Sequence, residues 1–134
     1  MCPNCGRLFA RRGQSHECEP AMSLDSYFET ATELEGPVFD AVMAHLRTLG
    51  PIHVEPVSVG IFLKAEGSFV ELRPMRRWVA MSFMLPRPTR HRTITRAVQE
   101  YHGRYYHVAN LRGPDDVDED LCDLLTEAYL DATS

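Results

Sequence analysis

The sequence predicts an α+β domain in which an antiparallel sheet of about four to five strands packs against N- and C-terminal helices. Three observations predict it. Between Pro37 and Leu49 apolar residues recur at helical spacing. Between Ile52 and Leu85 short runs rich in branched and aromatic residues alternate with turn signals. After Gly113 a second apolar stripe closes the chain, and the order helix, strands, helix sets the helices against one sheet.

Ser23 suits an N-cap, with Ser26 as the alternative, for a short helix from about Leu24 to Glu35 that Gly36 ends. Pro37 fits the first turn of the next helix, whose apolar face is Val38, Phe39, Val42, Met43, Leu46 and Leu49 and which Gly50-Pro51 stops. The runs Ile52–Val54, Val57–Lys64, Ser68–Arg73 and Arg77–Leu85 read as a meander of antiparallel strands. In the second of them Val57, Val59, Ile61 and Leu63 alternate with polar or small residues, Phe62 breaks the pattern, and Ala65-Glu66-Gly67 supplies a hairpin turn. Pro86–Arg92 reads as a loop, Thr93–Tyr101 fits helix or strand, and Arg104–Leu111 reads as a final strand. Gly113-Pro114-Asp115 starts the last helix, with Val117, Leu121, Leu124, Leu125 and Ala128 on its apolar stripe and Asp115, Asp116 and Asp118 at its positive end.

A chain of 134 residues with 44% hydrophobic and 25% charged residues has the balance of a soluble globular protein with one modest core. No apolar run reaches the roughly 20 residues of a membrane span, and the start Met1-Cys2-Pro3 is not a basic-then-apolar leader. The expectation is a cytoplasmic protein without a membrane partner, its oligomeric state left open. The formal charge of -5 hides an asymmetry. The middle of the chain, residues 64 to 112, is rich in arginine, and the last 22 residues carry eight carboxylates and no cation.

Three of the four cysteines fall before residue 19, in the spacing Cys2-x2-Cys5-x10-His16-x-Cys18. In a reducing compartment such clustering indicates metal ligation, and Cys2, Cys5, His16 and Cys18 make a complete tetrahedral set for one zinc ion. Gly6 permits the tight backbone after the second thiolate, Phe9 supplies a miniature core, and Arg7, Arg11 and Arg12 offset the thiolate charge. Because four protein ligands close the coordination shell, the zinc is expected to be structural and not to activate water. Residues 1–19 then form a finger, 20–23 a linker, and 24–134 the α+β domain. Cys122, on an apolar helix face, reads as a small buried hydrophobe.

The Cys-x-x-Cys-Gly-Arg-x-Phe stretch with its later His and Cys resembles small C2HC-type zinc fingers, although only Glu17 separates the last two ligands here. From about Leu24 to Asp131 the chain is similar to a bacterial family known as a domain of unknown function (DUF5655). The likeness rests on the Pro37-Val38-Phe39 helix start, the Phe69 to Phe83 strand pair, the His107 to Arg112 strand, Asp116-Val117-Asp118 and Ala128-Tyr129. It implies that a finger can precede such a domain, and it implies no activity.

In the middle segment Arg73, Arg76, Arg77, Arg87, Arg90, Arg92, Arg96, Arg104 and Arg112 are interleaved with Trp78, Tyr101, Tyr105 and Tyr106. Arginines with aromatics can hold phosphates and stack on unpaired bases. Alternatively, several pair with the carboxylates of the last 22 residues and leave a solvated surface. His107 shares a strand face with Tyr105 and Ala109, which suits a hydrogen-bonded structural histidine better than acid–base work with His91, His102 and Glu100. His45 and His53 look incidental, and Met75, Met81 and Met84 read as core filling. There is no Gly-rich phosphate loop, serine-nucleophile elbow or carboxylate metal cluster.

The resulting expectation is a non-enzymatic, zinc-binding recognition module. It would bind nucleic acid or a protein partner through the finger and an arginine-rich face, with Arg7, Arg11, Arg12, Arg76, Arg77, Arg87, Arg90 and Arg92 as contacts. The alternatives are a small-ligand-binding or accessory domain, with the finger as a protein-docking element, and an enzyme whose site has no legible motif.

Overall fold

The structure, a computed structural model, describes residues 22–134. Its elements are α1 (Leu24–Glu29), α2 (Glu35–Leu46), β1 (His53–Val57), β2 (Gly60–Lys64), β3 (Ser68–Pro74), β4 (Val79–Leu85), β5 (Gln99–Tyr101), β6 (Arg104–Leu111), a 3-10 turn at Pro114–Asp116, and α3 (Glu119–Thr133). The strands form one antiparallel sheet in the order β1-β2-β3-β4-β6-β5, so the last long strand is inserted beside β4.

The α+β class and the helix, strands, helix order are as the sequence predicts, but the sheet has six strands where four to five are expected. The extra strand is β5, whose Gln-Glu-Tyr is exposed throughout and has no apolar alternation. It exists because His102 and Gly103 adopt φ of 50° and 81°, the two left-handed positions of a tight hairpin turn that pairs Tyr101 with Arg104. The run Val57–Lys64 is the end of β1, a turn at Ser58-Val59 and β2; Phe62 breaks the alternation because it lies, half-buried, on the face of β2 opposite the core residues Ile61 and Leu63. Gly60 opens the second of them because a Cβ there would lie 2.4 Å from the Leu72 carbonyl oxygen of β3.

Ser23 caps α1, its hydroxyl accepting the Ser26 N–H, but that helix stops at Glu29 and Gly36 lies inside α2. The Glu35 carboxylate accepts both the Tyr27 hydroxyl and the Thr32 N–H, which fixes the break between the helices. Burial and the nearby Glu35 carboxylate push the Tyr27 phenol well above its ordinary pKa. At the other end Gly113-Pro114-Asp115 starts only the 3-10 turn. The helix proper begins after Asp118, whose carboxylate accepts the Leu121 N–H at 2.9 Å.

The core lies between the helices and one face of the sheet. Val38, Phe39, Val42, Met43 and Leu46 of α2 and Leu121, Leu124, Leu125 and Ala128 of α3 meet Val70 and Leu72 of β3, Val79, Met81, Phe83 and Leu85 of β4, and Ala109 and Leu111 of β6. His45 is not incidental, since its Nε2 lies 2.7 Å from Thr126 Oγ1 and ties α2 to α3. His53 Nε2 lies 2.9 Å from Glu55, and that carboxylate also pairs with Lys64 at 3.0 Å, both members of the pair being buried. Of Met75, Met81 and Met84, only Met81 is fully in the core; Met75 is 46% exposed at the sheet rim. Cys122 is half-buried, its thiol pKa raised by burial and then by Asp118, Asp123 and Glu119.

Candidate functional site

Strand register decides which arginines can meet which partners. Pairing of Val79 with Leu111 and of Met81 with Ala109 sends those side chains to the helix side. The intervening residues, Ala80, Ser82, Val108 and Asn110, therefore project from the opposite face. Trp78 and Arg112, one position beyond the Val79–Leu111 pair, fall on that face too, and the Arg112 guanidinium lies over the Trp78 ring at 5.6 Å.

This second face carries a hollow of about 460 Å³ lined by Trp78, Tyr106, Ser82, Asn110, Thr95 and Arg96, with Met75 and the Glu71–Arg73 pair at one side. Arg96 arrives there from the loop at residues 86–98. Asn110 N–H donates to the Thr93 carbonyl at 2.9 Å and Asn110 Nδ2 to Thr95 Oγ1 at 3.1 Å, so the loop is laid along the edge of β6. Arg96 also lines a hollow of about 740 Å³ enclosed by the loop itself, with Arg90, Arg92 and Ile94 in its wall. The β3–β4 turn is closed by the Met75 N–H to the Trp78 carbonyl at 2.8 Å, which leaves Arg76 and Arg77 exposed at its tip.

The arginines divide into two sets. On the helix side, Arg87 grips both Glu127 oxygens at 3.0 and 2.7 Å, and Arg92 reaches Asp116 at 2.7 Å and Asp118 at 3.2 Å. Arg104 pairs with Asp131 at 3.0 Å. The hydrogen bonds that Arg87 and Arg92 donate to these carboxylates raise the pKa of both guanidinium groups. The Arg92 guanidinium and the Arg112 N–H hold Asp116 below the usual carboxylate range, and the Leu121 N–H does the same for Asp118. By contrast, among the described residues Arg76, Arg77, Arg90, Arg96 and Arg112 have no carboxylate within ion-pair distance.

The expected contacts are thus split. Arg76 and Arg77 sit at the β3–β4 tip and Arg90 on the loop, none with a carboxylate within ion-pair distance among the described residues, although Arg90 shares a hollow with Asp118, Asp120 and Asp123; Arg87 and Arg92 are engaged by the acidic segment. Arg7, Arg11, Arg12 and the zinc ligands Cys2, Cys5, His16 and Cys18 lie outside the described residues. Among those described, no group of three or more metal-ligating side chains converges. Arg96, Arg112, Trp78 and Tyr106 are the residues that the sequence reading names without assigning as contacts. A signal for them was present, because period-2 alternation around His107 and Ala109 places Tyr106 and Val108 on the other face.

His91, His102, His107 and Glu100 do not assemble into an acid–base centre. His91 bonds Asp118 at 2.8 Å and Thr93 at 2.7 Å, Glu100 accepts the Tyr105 hydroxyl at 3.1 Å, and His102 stands exposed in the β5–β6 turn. His107 is the hydrogen-bonded histidine that its strand position predicts: fully buried, stacked on Phe83, and bonded to Thr89 and Tyr105. Among the described residues, no helix is long and apolar enough to cross a membrane.

No curated protein and no solved structure matches the chain. A family match covers residues 24–132, nearly all of the described structure. By that match the chain belongs to the family described as a domain of unknown function (DUF5655).

Proposed function

We propose that this protein is a non-enzymatic recognition module that binds nucleic acid through the face of its sheet opposite the helices. Unpaired bases would rest against Trp78 and Tyr106, and phosphates would be held by Arg96, Arg112, Arg76 and Arg77, with Arg90 extending the track along the loop. The observation that carries the proposal is the placing of two half-buried aromatic rings, Trp78 and Tyr106, beside Arg96 and Arg112, guanidinium groups with no carboxylate within ion-pair distance among the described residues. Base stacking on an aromatic ring is sequence-tolerant, and free arginines supply the phosphate contacts. The acidic α3 lies on the other side of the sheet, so its repulsion acts from a distance that salt screens.

We further propose that residues 2–18 bind one structural zinc ion through Cys2, Cys5, His16 and Cys18, placing Arg7, Arg11 and Arg12 as additional phosphate contacts. The spacing and the chemistry of the donor set support this. Elemental analysis should find about one zinc per chain, and Cys5→Ser should lose it.

The decisive experiment is fluorescence anisotropy of labelled single- and double-stranded oligonucleotides at about 50 and about 200 mM salt. Binding to single strands at the lower salt, weakening steeply at the higher, is the expected result, since each phosphate contact releases counterions. A net charge of -5 predicts modest affinity. No binding to any oligonucleotide at the lower salt would end the proposal.

A further inference from the structure

The loop that carries Arg87, Arg90, Arg92 and Arg96 is pinned from below by a histidine whose protonation state the geometry dictates. The His107 ring is fully buried and stacked parallel to Phe83, with centroids 5.2 Å apart and planes 7° apart. Its Nδ1 lies 2.9 Å from the Tyr105 carbonyl oxygen, and its Nε2 lies 3.0 Å from the Thr89 backbone nitrogen. A carbonyl only accepts, so Nδ1 carries the hydrogen; an amide N–H only donates, so Nε2 must be bare. Protonated His107 would set an Nε2–H against the Thr89 N–H and lose that bond. Pro86 and Pro88 have fixed φ, leaving few free torsions between β4 and Thr89, so this buried hydrogen bond, together with the exposed Arg87–Glu127 pair, locates the first part of the loop.

The charges facing the ring come from the loop and from α3, and they are Arg87 and Glu127, which are paired with each other at 2.7 Å. From β4 it meets the uncharged Phe83. Burial lowers the His107 pKa; the Tyr105 carbonyl works against that, Arg87 reinforces it, and Glu127 opposes it. His91, further along the loop, has Nε2 2.8 Å from Asp118, and Arg92 reaches Asp116 at 2.7 Å, so that end is held separately.

We propose that His107 is the positioning residue of the first part of the arginine loop: its neutral ring holds Thr89, and with it Arg90, in the binding arrangement, and protonation of the ring releases Thr89 and weakens nucleic-acid binding. This rests on the function proposed above and adds a pH response to it. The sign is diagnostic. A surface of arginines without such a peg binds a polyanion more tightly as pH falls, because carboxylates and exposed histidines take up protons while arginine stays charged.

Two measurements on the full chain test it, as titrations from about pH 7.5 down to about pH 4.5, so that the acid end lies well below the ordinary histidine pKa near 6.5, from which burial lowers this ring. By NMR, the protection factor of the Thr89 amide should fall at least about tenfold in acid, as expected when a backbone hydrogen bond opens, while amides of β3 and β4 keep theirs. By anisotropy at constant ionic strength, a labelled oligothymidylate should bind about fivefold more weakly at the acid end, the worth of roughly one lost contact. His107→Gln offers an uncharged acceptor to Thr89 and should remove both pH responses; His107→Leu removes the acceptor and should lower Thr89 protection throughout the titration. Unchanged Thr89 protection in the wild-type chain, or binding that tightens in acid, overturns the proposal. Absence of oligonucleotide binding at every pH sinks the nucleic-acid function and the binding half of this one, while Thr89 protection still decides the peg by itself.

Discussion

Two groups of arginines, drawn from the same stretch of sequence, meet opposite fates. Arg87, Arg92 and Arg104 face the C-terminal helix and its approach, where Glu127, Asp116, Asp118 and Asp131 take up their donors. Arg96 and Arg112 face the other side of the sheet, where their neighbours are Trp78, Tyr106 and Asn110. Net charge by segment does not separate them, yet a guanidinium already forked onto a carboxylate has little left for a phosphate, whereas one lying over an indole keeps its donors. What recognises a polyanion is the cation without a partner, so the composition of a basic segment overstates its binding surface.

The largest expected effect tests the aromatic half of that contrast. Trp78→Ala should weaken binding of single-stranded oligonucleotides by between roughly fivefold and a hundredfold, the range for one stacked base. Its melting temperature should change little, because the ring is only half-buried and outside the core cluster. Wild-type affinity in this variant would mean that the sheet face is not the platform. Next comes Arg96→Ala, expected to cost about threefold to tenfold in affinity and to reduce the slope of log affinity against log salt by about one. A variant with an unchanged salt slope would show that Arg96 touches no phosphate.

The helices were legible in the sequence because their signal is local. The face of α2 follows from apolar residues three and four apart, and that of α3 from Leu121, Leu124, Leu125 and Ala128, whatever they pack against. β5 was not legible, since three exposed polar or aromatic residues become a strand only through the turn at His102-Gly103 and the neighbouring edge of β6. Half of the site was hidden for a related reason. Trp78 and Arg112 are 34 positions apart and meet only because β6 is inserted beside β4. Arg87 and Glu127 are 40 apart and meet only because α3 crosses the helix side of the sheet. The abundance of arginines and carboxylates could be read from composition, but which of them cancel is a property of topology.

The acidic side of the comparison yields a stability effect of intermediate size. Asp118 caps α3, holds His91 and receives Arg92, so Asp118→Ala should destabilise the fold by about 1 kcal/mol, chiefly through the lost cap. Because the Asp118 pKa is depressed in the folded chain, its contribution is present at neutral pH and is lost as pH falls below about 4 and through the folded value. The gap in melting temperature between wild type and this variant should therefore narrow in acid. A gap that persists there would assign the loss to packing instead of the carboxylate.

The smallest effect carries the sharpest comparison. Arg87→Ala removes one positive charge from an exposed residue of the arginine loop, as Arg96→Ala does, and each deletion changes the net charge by the same amount. If binding depended on overall charge, the two variants would weaken it equally. Because Arg87 is forked onto Glu127, its removal also frees a carboxylate, and neither group lines the hollow of the aromatic face. The expected loss for Arg87→Ala is under about twofold, with a salt slope indistinguishable from wild type, against the several-fold loss for Arg96→Ala. Anisotropy titrations of the two variants in parallel, with the same oligonucleotide and salt series, read the difference directly. Equal losses would erase the distinction between the two sets and return the arginines to a diffuse electrostatic field.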